Sequence, residues 1–252
     1  MLKDEMLNIS NDSIDAIVIG GNGGIGNALV KKLSQLNEIG SVYCCSRKKP
    51  NGLPSEANWI PFDITSENSI IEASQNIKRQ CQNVRLIIIA SGILHDKYAN
   101  MPEKSLKDIN ADYFFEVFKI NTLGPILTAK HFTSIFEKQN KTIMCILSAR
   151  VGSIEDNNLG GWYSYRSSKS AVNMMAKSLS IEMKRKNGDS ITALIHPGTV
   201  DTALSKPFQS SVAKNKLFTT DKAAESILSV IGGWNNESNG GFFAWNGQKI
   251  PF

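Results

Sequence analysis

Short apolar segments alternate with longer amphipathic segments along this chain, and no other feature limits its fold as strongly. Apolar runs predict strands at 14–20, 41–46, 84–90, 141–148 and 190–198, with a shorter candidate at 59–64. Apolar residues three and four apart predict helices within 24–37, 66–81, 112–139 and 165–186. Because most of these strands are apolar throughout, both of their faces should be covered. We therefore predict an α/β fold: a single doubly wound domain, residues 1–252, with a central parallel sheet flanked by helices on both faces.

The charged residues are scattered and argue against several kinds of partner. The net charge of +5 comes from 28 basic and 23 acidic residues, without a basic stripe that carries interleaved aromatic residues, so we expect no nucleic-acid partner. No apolar run approaches the ~18 residues that cross a bilayer. The N-terminus has no apolar signal-peptide core either. We expect a cytoplasmic protein with no membrane partner.

The cysteines and histidines predict no metal site. Cys44, Cys45, Cys81 and Cys145 form no CxxC pair and no disulfide-like spacing, so buried, reduced thiols are expected. The three histidines, His95, His131 and His196, lie on separate segments without metal spacing, and we interpret each as structural or surface-exposed.

Two stretches break the alternation, 92–110 and 196–221, and each follows a predicted strand at its C-terminal end. Open α/β sheets build their sites at that edge. We assign 92–110 and 199–221 as substrate-side loops, the second as a candidate lid, and 1–13 as an N-terminal extension. Ordinary surface loops are the alternative.

The segment GGNGGIG (20–26) follows the first predicted strand and opens the first predicted helix. Glycines here let the backbone turn sharply and approach a pyrophosphate, which then sits at the helix N-terminus. Two spacings fit: Gly21, Gly23 and Gly26 match G-x-G-x-x-G, and Gly20, Gly24 and Gly26 match G-x-x-x-G-x-G. The position predicts a Rossmann-like, dinucleotide-binding turn. Its cofactor-binding candidates are Gly20, Asn22, Gly24, Ile25 and Gly26.

The end of the second predicted strand favours one cofactor over another. Ser46, Arg47 and Lys48 stand where NAD-binding proteins usually have an acid for the ribose 2′-hydroxyl, and no Asp or Glu occurs between Glu38 and Glu56. A cationic, hydrogen-bonding pocket suits a 2′-phosphate. Ser46 and Arg47 therefore favour NADP(H), with NAD(H) less favoured. The alternative is that Arg47 and Lys48 are solvated loop charges.

The segment YSYRSSK (163–169) sets Tyr165 four residues before Lys169, so both side chains project from one face of a helix. Such a pair also arises by chance in the polar first turn of a helix. An unperturbed tyrosine has a pKa of about 10, and a neighbouring ammonium should lower it. Tyr165 could then exchange a proton with a carbonyl or alcohol oxygen while a nicotinamide carries the hydride. Tyr163 has Ser167 in place of the lysine, and we interpret it as a pocket wall or packing residue.

These motifs, taken in order, resemble those of the short-chain dehydrogenase/reductase family over nearly the whole chain. The matching segments are GGNGGIG (20–26), FDIT (62–65), IIIASG (87–92), KINTLGP (119–125), SARVGS (148–153), YSYRSSK (163–169) and HPGTVDT (196–202). Within that family, SARVGSIEDNNLGGWYSYR and the ending GGFFAWNGQKIPF resemble the branch named for C-factor, a cell–cell signalling protein. That apolar ending either joins an oligomer interface or completes the sheet.

The resemblance implies a cofactor site built from several segments. Asp63 would meet the adenine amino group with Ile64 beside the ring, although a turn-forming Asp is a competing interpretation. The backbone of Ala90, Ser91 and Gly92 would pass beneath the adenine ribose, where Ile89 and Ala90 replace the asparagines usual in the family. The segment after the last long strand would contact the nicotinamide amide and the pyrophosphate through Pro197, Gly198, Val200 and Thr202.

The resemblance also implies the catalytic groups. Lys169 would hydrogen-bond the nicotinamide ribose, and Asn121 would keep a water in a proton relay that leads to Lys169. The family serine that holds the substrate oxygen commonly stands three residues before a glycine. Counting back from Gly152 reaches Ala149, with Ser148 just before it and Ser153 just after the glycine.

Ser148 is our candidate for the missing hydroxyl, because the strand before it should carry it to the carboxyl edge of the sheet. Ser153 is the alternative. Without either hydroxyl, Tyr165 would act slowly, since one preorganised donor is typically worth about 100- to 1000-fold, or catalysis has been lost. Trp162, Leu159 and Phe208 are candidates for an apolar substrate wall, or else for core positions.

Together these observations predict an NADP(H)-dependent oxidoreductase that interconverts a small-molecule carbonyl and its alcohol, with Tyr165, Lys169, Asn121 and Ser148 as catalytic residues. The resemblance implies a homo-oligomer, a dimer or tetramer. Ala149 and the likeness to C-factor leave a second possibility, a dinucleotide-binding signalling or regulatory protein with weak or no catalysis. A methyltransferase that uses S-adenosylmethionine normally has an acid after the second strand, which this chain lacks.

Overall fold

The computed structural model describes residues 7, 9, 12–81, 83–96, 101–136 and 139–252, and at its centre lies a seven-stranded parallel sheet. In sheet order the strands are β3 (Ala57–Pro61), β2 (Ile39–Ser46), β1 (Ile14–Ile19), β4 (Val84–Ile89), β5 (Thr142–Leu147), β6 (Ser190–His196) and β9 (Phe242–Ala244). A separate two-stranded ribbon pairs β7 (Thr199–Val200) with β8 (Leu217–Phe218). The predicted α/β fold with a central parallel sheet is confirmed.

Helices cover both faces of this sheet. Their bounds are α1 Gly24–Leu33, α2 Glu67–Gln80, α3 Ala111–Phe118, α4 Gly124–Phe132, α5 Tyr163–Lys186 and α6 Thr220–Gly232. The core on one face includes side chains of α1 and α6, and the core on the other includes side chains of α2, α4 and α5. Every residue of β4 and β5 is buried, which is why these strands are nearly continuous apolar runs, with Arg85 and Thr142 as their polar members, rather than alternating ones.

The strand order reverses between β1 and β4, and this reversal positions the site. β1 pairs with β2 on one side and with β4 on the other, so the loops that leave β1 and β4 run in opposite directions and open a crevice at the carboxyl edge. The backbone N–H of Ala90 donates to the carbonyl of Ile19 at 2.8 Å, and that of Gly20 donates to Cys45 at 2.9 Å. The glycine turn therefore lies directly beside the end of β4.

The predicted helix 112–139 is interrupted in the structure. A π-helical turn, Lys119–Leu123, separates α3 from α4, and a short 3₁₀ turn, Thr133–Ile135, follows α4. A π-turn inserts a residue into the helical ladder and is frequent at functional sites. The apolar period of the sequence continues across the insertion, so it does not reveal it.

The helix α6 was not predicted from the sequence, and it begins at the end of the predicted loop 199–221. Its start does carry a signal, because the Thr219 side chain accepts a hydrogen bond from Lys222 N–H at 3.1 Å. Its buried apolar residues, Ala223, Ala224, Ile227, Leu228 and Ile231, follow helical spacing. A capping threonine before this pattern would have predicted the helix.

The chain ends and the cysteines complete the core. β9 lies beside β6, so the apolar ending completes the sheet. Of the predicted extension 1–13, residues 1–6, 8, 10 and 11 lie outside the described residues, while Leu7 and Ile9 are buried. The four cysteines are buried and free, as predicted, and burial raises the pKa of Cys44 and of Cys81 to about 11. None of the described helices is long and apolar enough to cross a membrane.

Candidate active site

The glycine turn leaves no room for side chains at four of its positions, among them Gly21, where a Cβ atom would lie 2.4 Å from Cys44 Sγ. A Cβ atom at Gly26 would lie 2.2 Å from the carbonyl oxygen of Gly20, and one at Gly24 would lie 2.6 Å from Thr202 Cγ2. Gly20 adopts φ +85°, and a Cβ there would lie 2.7 Å from Ser91 Oγ. The turn thus packs tightly against α1, the end of β4 and the segment after β7.

The N-terminus of α1 directly follows this turn in the chain. Its N-cap residue, Gly23, makes no side-chain hydrogen bond, and no acidic residue occupies the first turn. Asn22 and Gly24 are exposed, whereas Ile25 is half-buried. A helix N-terminus without a side-chain cap offers backbone donors and a partial positive charge to an anion.

Ser46 and Arg47, the predicted determinants of the cofactor, differ in how free they are. The Ser46 hydroxyl is buried, donates to the Lys48 carbonyl at 2.8 Å and accepts from Trp59 Nε1 at 3.2 Å. The Arg47 side chain is exposed at the end of β2. Of the two side chains, Arg47 is therefore the one that is accessible for binding an anionic group.

Asp63 forms a turn, as the competing interpretation expected. Its Oδ1 accepts hydrogen bonds from Thr65 N–H at 2.9 Å and from Thr65 Oγ1 at 2.8 Å. Burial alone would raise the Asp63 pKa, but these hydrogen bonds and the charges of Arg47 and Lys119 outweigh it and lower the pKa. The turn sets Ile64 against Gly124, where an added Cβ would lie 2.5 Å from Ile64 Cγ1.

A cavity of about 620 Å³ opens at the switch point between β1 and β4. Eleven of the predicted site residues line it: Ile25, Ala90, Ser91, Gly92, Ser148, Tyr165, Lys169, Pro197, Gly198, Val200 and Thr202. The other predicted residues lie outside its lining: Gly20, Asn22, Gly24, Gly26, Ser46, Arg47, Asp63, Ile64 and Asn121. A second cavity, of about 610 Å³, lies beside α6 and contains neither Tyr165 nor Lys169.

Tyr165 and Lys169 lie together in the wall of the main cavity. Both are buried, and Lys169 Nζ lies 5.8 Å from the centroid of the Tyr165 ring. Lys169 Nζ donates to the Leu147 carbonyl at the end of β5 at 3.1 Å. The β5 edge therefore holds the ammonium beside the phenol, as the four-residue spacing on α5 predicts.

The pKa of Tyr165 differs from the sequence-based expectation. Burial raises it above the ordinary value, whereas the neighbouring ammonium was expected to lower it. Burial also lowers the pKa of Lys169 to about 8. Because both side chains are removed from water, desolvation outweighs the attraction between the charged forms. The structure thus favours a neutral phenol, which is a proton donor.

Asn121 lies in the π-turn and connects three segments. Its side chain accepts from Ile93 N–H at 2.8 Å, donates to the Ile93 carbonyl at 2.9 Å and donates to Ser168 Oγ at 3.2 Å. A Cβ at Gly92 would lie 3.3 Å from Asn121 Oδ1 and 3.5 Å from Lys169 Nζ. Asn121 is therefore close to the lysine, although its amide is already bonded to the loop after β4.

Neither candidate for the missing hydroxyl has its oxygen free of protein partners. Ser148 lines the cavity, but its hydroxyl donates to Asn173 Oδ1 at 2.6 Å. Ser153 is buried outside the lining and accepts from Asp156 N–H at 3.1 Å. Ala149, which the resemblance implies stands in place of the family's serine, also lines the cavity. Ser148 stays the better-placed candidate, provided that it turns away from Asn173.

The segment after β6 closes one side of the cavity. Gly198 adopts φ +81°, and a Cβ there would lie 2.7 Å from the Phe218 ring. Val200 lies in β7 and pairs with Phe218. The Thr202 methyl group approaches Gly24, as described above, which brings the segment against the glycine turn. Both predicted substrate-side loops contribute to the lining, the first through Gly92 and Leu94; residues 97–100 lie outside the described residues.

The predicted aromatic wall is present in part. Trp162 and Phe208 line the cavity with ring centroids 5.0 Å apart, and Trp162 lies edge-on to Tyr165 at 6.2 Å. Leu159 is 90% exposed and outside the lining. Tyr163 is 37% exposed and also lies outside it. Of the three predicted wall residues, Trp162 and Phe208 therefore line the cavity and Leu159 does not.

His196 is a lining residue that the sequence analysis did not select. It ends β6 and borders the cavity, and its buried Nδ1 has no hydrogen-bond partner among the described residues. Burial, with a smaller contribution from the charge of Arg150, lowers the pKa of His196 to about 4. Its place at the carboxyl end of a buried strand was the available signal. Among the described residues, no group of three or more His, Cys, Asp or Glu side chains could hold a metal ion.

A Rossmann-like sheet with a glycine turn and a tyrosine–lysine pair at its switch point places the chain among the α/β oxidoreductases. Comparison with known proteins identifies the family. A family model described as short chain dehydrogenase matches residues 15–213, and the chain belongs to the short-chain dehydrogenase/reductase family.

Individual relatives agree with this assignment. An uncharacterized oxidoreductase of Schizosaccharomyces pombe is 30% identical, covering 93% of this chain and 96% of its own length. C-signal from Myxococcus xanthus is 30% identical over 59% of this chain and 84% of its own length. An NADPH-bound carbonyl reductase from chicken fatty liver superimposes with a TM-score of 0.84 at 21% identity, covering 97% of this chain and 96% of that one. Membership of the C-factor-like branch stays a prediction.

Proposed function

We propose that this protein is an NADP(H)-dependent oxidoreductase that transfers hydride between the nicotinamide and a small-molecule carbonyl or alcohol, with Tyr165 as the proton donor or acceptor. The observation that carries the proposal is the placement of Tyr165 and Lys169 side by side in the cavity at the switch point. The glycine turn borders the same crevice. Proton and hydride chemistry need these two parts within one cavity.

The residues present fit a dinucleotide. The tight turn that Gly20, Gly24 and Gly26 allow, together with the uncapped N-terminus of α1, suits a pyrophosphate. We assign the nicotinamide end to Pro197, Gly198, Val200 and Lys169, the pyrophosphate also to Thr202, and the ribose and adenine end to Ser46, Arg47, Asp63, Ile64, Ala90, Ser91 and Gly92. The bound nicotinamide would supply or accept the hydride.

The protein's own task is to move a proton at the substrate oxygen. A neutral Tyr165 phenol donates its proton to a carbonyl oxygen, and the Lys169 ammonium stabilises the phenolate that results. Asn121 and Lys169 both approach Gly92, so a water held by Asn121 would restore the proton through Lys169. Oxidation of an alcohol runs the same transfers in reverse. Ser148, or Ser153, would hold the substrate oxygen.

The cofactor preference rests on Arg47. An exposed guanidinium at the end of β2, without an acid between Glu38 and Glu56, suits the ribose 2′-phosphate. In titrations followed by cofactor fluorescence, NADPH should bind about tenfold or more tightly than NADH, since charge-assisted hydrogen bonds contribute about 1.5–3 kcal/mol. Arg47→Ala should reduce the difference in affinity between NADPH and NADH. Lys49 is also exposed, and Lys49→Ala should leave that difference unchanged. Equal affinity of the wild type for both cofactors would contradict the assignment.

The chemistry is tested by turnover. The wild type should oxidise NADPH with at least one compound from a panel of aldehydes, ketones and quinones. Tyr165→Phe should lose about 100-fold or more of that rate, because general acid catalysis typically contributes about 10²–10⁴-fold, and should still bind NADPH. Tyr163→Phe is a matched control, since Tyr163 lies outside the cavity, and should keep the rate.

A second candidate is an NAD(P)-binding signalling or regulatory protein with weak or no catalysis. Ala149 in the lining and the engaged Ser148 hydroxyl favour it, as does the partial similarity to C-signal. This candidate predicts that the wild type and Tyr165→Phe bind NADPH equally and are equally inert across the panel.

We also propose a homo-oligomer, a dimer or tetramer, in the cytoplasm. Large apolar side chains on α3 and α5 are exposed, among them Phe115 at 69% and Met174 at 67%. Exposed apolar groups of this size are favoured at protein interfaces. Light scattering of the purified protein would show a mass of two or four chains.

A further inference from the structure

Helix α5, which carries Tyr165 and Lys169, begins in an unusual way. Its N-cap residue, Trp162, has φ 51° and ψ 44°, makes no side-chain capping bond, and is followed by no acid in the first turn. Gly160 and Gly161, just before it, both have φ +63°. In the described part of the chain, Trp162 is the only residue other than glycine that has a positive φ. A side-chain-bearing residue in this conformation needs support from its surroundings.

Glu103 gives this support from a loop 61 residues earlier in the sequence. The backbone N–H of Trp162 donates to the Glu103 carbonyl at 2.5 Å. Both carboxylate oxygens of Glu103 are also used: Ser164 N–H donates to Oε2 at 3.2 Å, and the Ser164 hydroxyl donates to Oε1. Glu103 therefore caps α5 in place of the local side chain that the helix lacks.

The contact between Glu103 and Ser164 is removed from water. Glu103 is 3% exposed and Ser164 is 1% exposed. A carboxylate in such a place needs hydrogen bonds, and the first turn of α5 offers both N–H donors and the positive end of the helix dipole. The loop and the helix are consequently joined by a buried hydrogen-bonded contact.

This point is one residue away from the proposed proton donor. Ser164 directly precedes Tyr165, and the Trp162 ring lies edge-on to the Tyr165 ring at 6.2 Å. On the other side, Arg166 Nε donates to the Gly161 carbonyl at 3.0 Å, and Arg166 Nη1 donates to Val151 at 3.3 Å. Glu103 and Arg166 therefore both form hydrogen bonds with the turn before Tyr165. Among the described residues, Glu103 is the only acidic side chain that bonds to this turn.

We propose that Glu103 is a positioning residue, whose carboxylate and backbone carbonyl hold the first turn of α5 and so set the Tyr165 phenol in the cavity. The inference rests on the proposed function. Glu103 does not line the cavity, so it acts through Ser164 and Trp162 rather than on the substrate. Loss of its carboxylate leaves the Ser164 N–H without its partner and frees the turn to shift.

The first test is kinetic. Glu103→Ala should lower kcat about 10- to 100-fold, since small misplacements of a catalytic group cost about that much, while the Kd for NADPH changes by less than twofold. Glu103→Gln, which keeps one acceptor oxygen, should lose less of kcat than Glu103→Ala. It also provides a second test in case the alanine variant does not fold. In a Tyr165→Phe background, Glu103→Ala should cause no further loss of kcat, because the phenol that it positions is gone.

A matched control lies in the same loop. Asp108 accepts hydrogen bonds from Ser105 N–H at 3.0 Å and from Ser105 Oγ at 3.1 Å, and it is exposed. Asp108→Asn should leave kcat unchanged. Hydrogen exchange adds a readout independent of turnover: amides in 160–166 should exchange faster in Glu103→Ala and at the wild-type rate in Asp108→Asn.

Two results would overturn the inference. One is faster exchange in 160–166 with unchanged kcat, which would make Glu103 purely structural. The other is an equal loss of kcat in the wild-type and Tyr165→Phe backgrounds, which would mean that Glu103 acts elsewhere. If the wild type turns over no substrate, the proposed function fails, and unchanged exchange in Glu103→Ala would then refute the capping role separately.

Discussion

Lys169 stands in a place that disfavours its charge. Burial lowers its pKa to about 8, and its ammonium has the Leu147 carbonyl as a hydrogen-bond acceptor. Burial moves the pKa of the neighbouring Tyr165 in the opposite direction. At neutral pH the pair is therefore a charged lysine beside a neutral phenol, which is the state needed to donate a proton to a carbonyl.

This balance predicts the pH dependence of reduction. As the pH rises through about 8, Lys169 loses its proton, the phenolate loses its stabilising charge, and kcat/KM for carbonyl reduction should fall about tenfold per pH unit. Initial rates with NADPH between pH 6 and 10 would show this decline in kcat/KM. Lys169→Arg, whose guanidinium stays charged, should be slower overall but should not show the decline. The same decline in that variant would mean that another group than Lys169 causes it.

At the scale of elements, the turn between β1 and α1 depends on close backbone approach. A Cβ at Gly26 would lie 2.2 Å from the Gly20 carbonyl, so Gly26→Ala must open the turn. Overpacking of this kind costs about 1–3 kcal/mol, and we expect NADPH affinity to fall about tenfold or more. Gly188→Ala is the control, because a Cβ there meets nothing within 4 Å. Calorimetric titration would compare the NADPH affinities of the two variants. Unchanged affinity in Gly26→Ala would contradict the conclusion that cofactor binding depends on the tight turn.

The elements also show where sequence patterns reach their limit. The strands β4 and β5 were predictable because burial on both faces favours long apolar runs, which Arg85 and Thr142 do not obscure. The π-turn at Lys119–Leu123 was not, because one inserted residue changes the hydrogen-bond register without changing the apolar period. Yet that turn is what places Asn121 near Gly92 and Lys169.

At the scale of the whole molecule, His196 links the cavity to acid stability. Its pKa is lowered to about 4 in the folded state, against about 6.5 when unfolded. The unfolded chain therefore takes up the proton first as the pH falls, so the stabilising contribution is complete above about 6.5 and is lost between 6.5 and 4. Arg150 adds to this effect by charge repulsion.

Urea unfolding at pH 7 and pH 4.5 tests this dependence. His196→Gln should lose less stability than the wild type between these two values, by about 1–3 kcal/mol. The comparison removes the contribution of carboxylates that titrate in both proteins. Parallel losses in the two proteins would show that His196 does not titrate with a lowered pKa.

The amino-acid pattern by itself determined the alternation of the main strands with helices as far as β6, the glycine turn and the tyrosine–lysine pair. These features depend on local spacing and on burial, which the residue types record directly. The tertiary structure alone decided three others: the capping of α5 by Glu103, the bond between Ser148 and Asn173, and the raised pKa of Tyr165. Each depends on which distant groups meet and how far water is excluded from them, and neither property is written in the spacing of the residues.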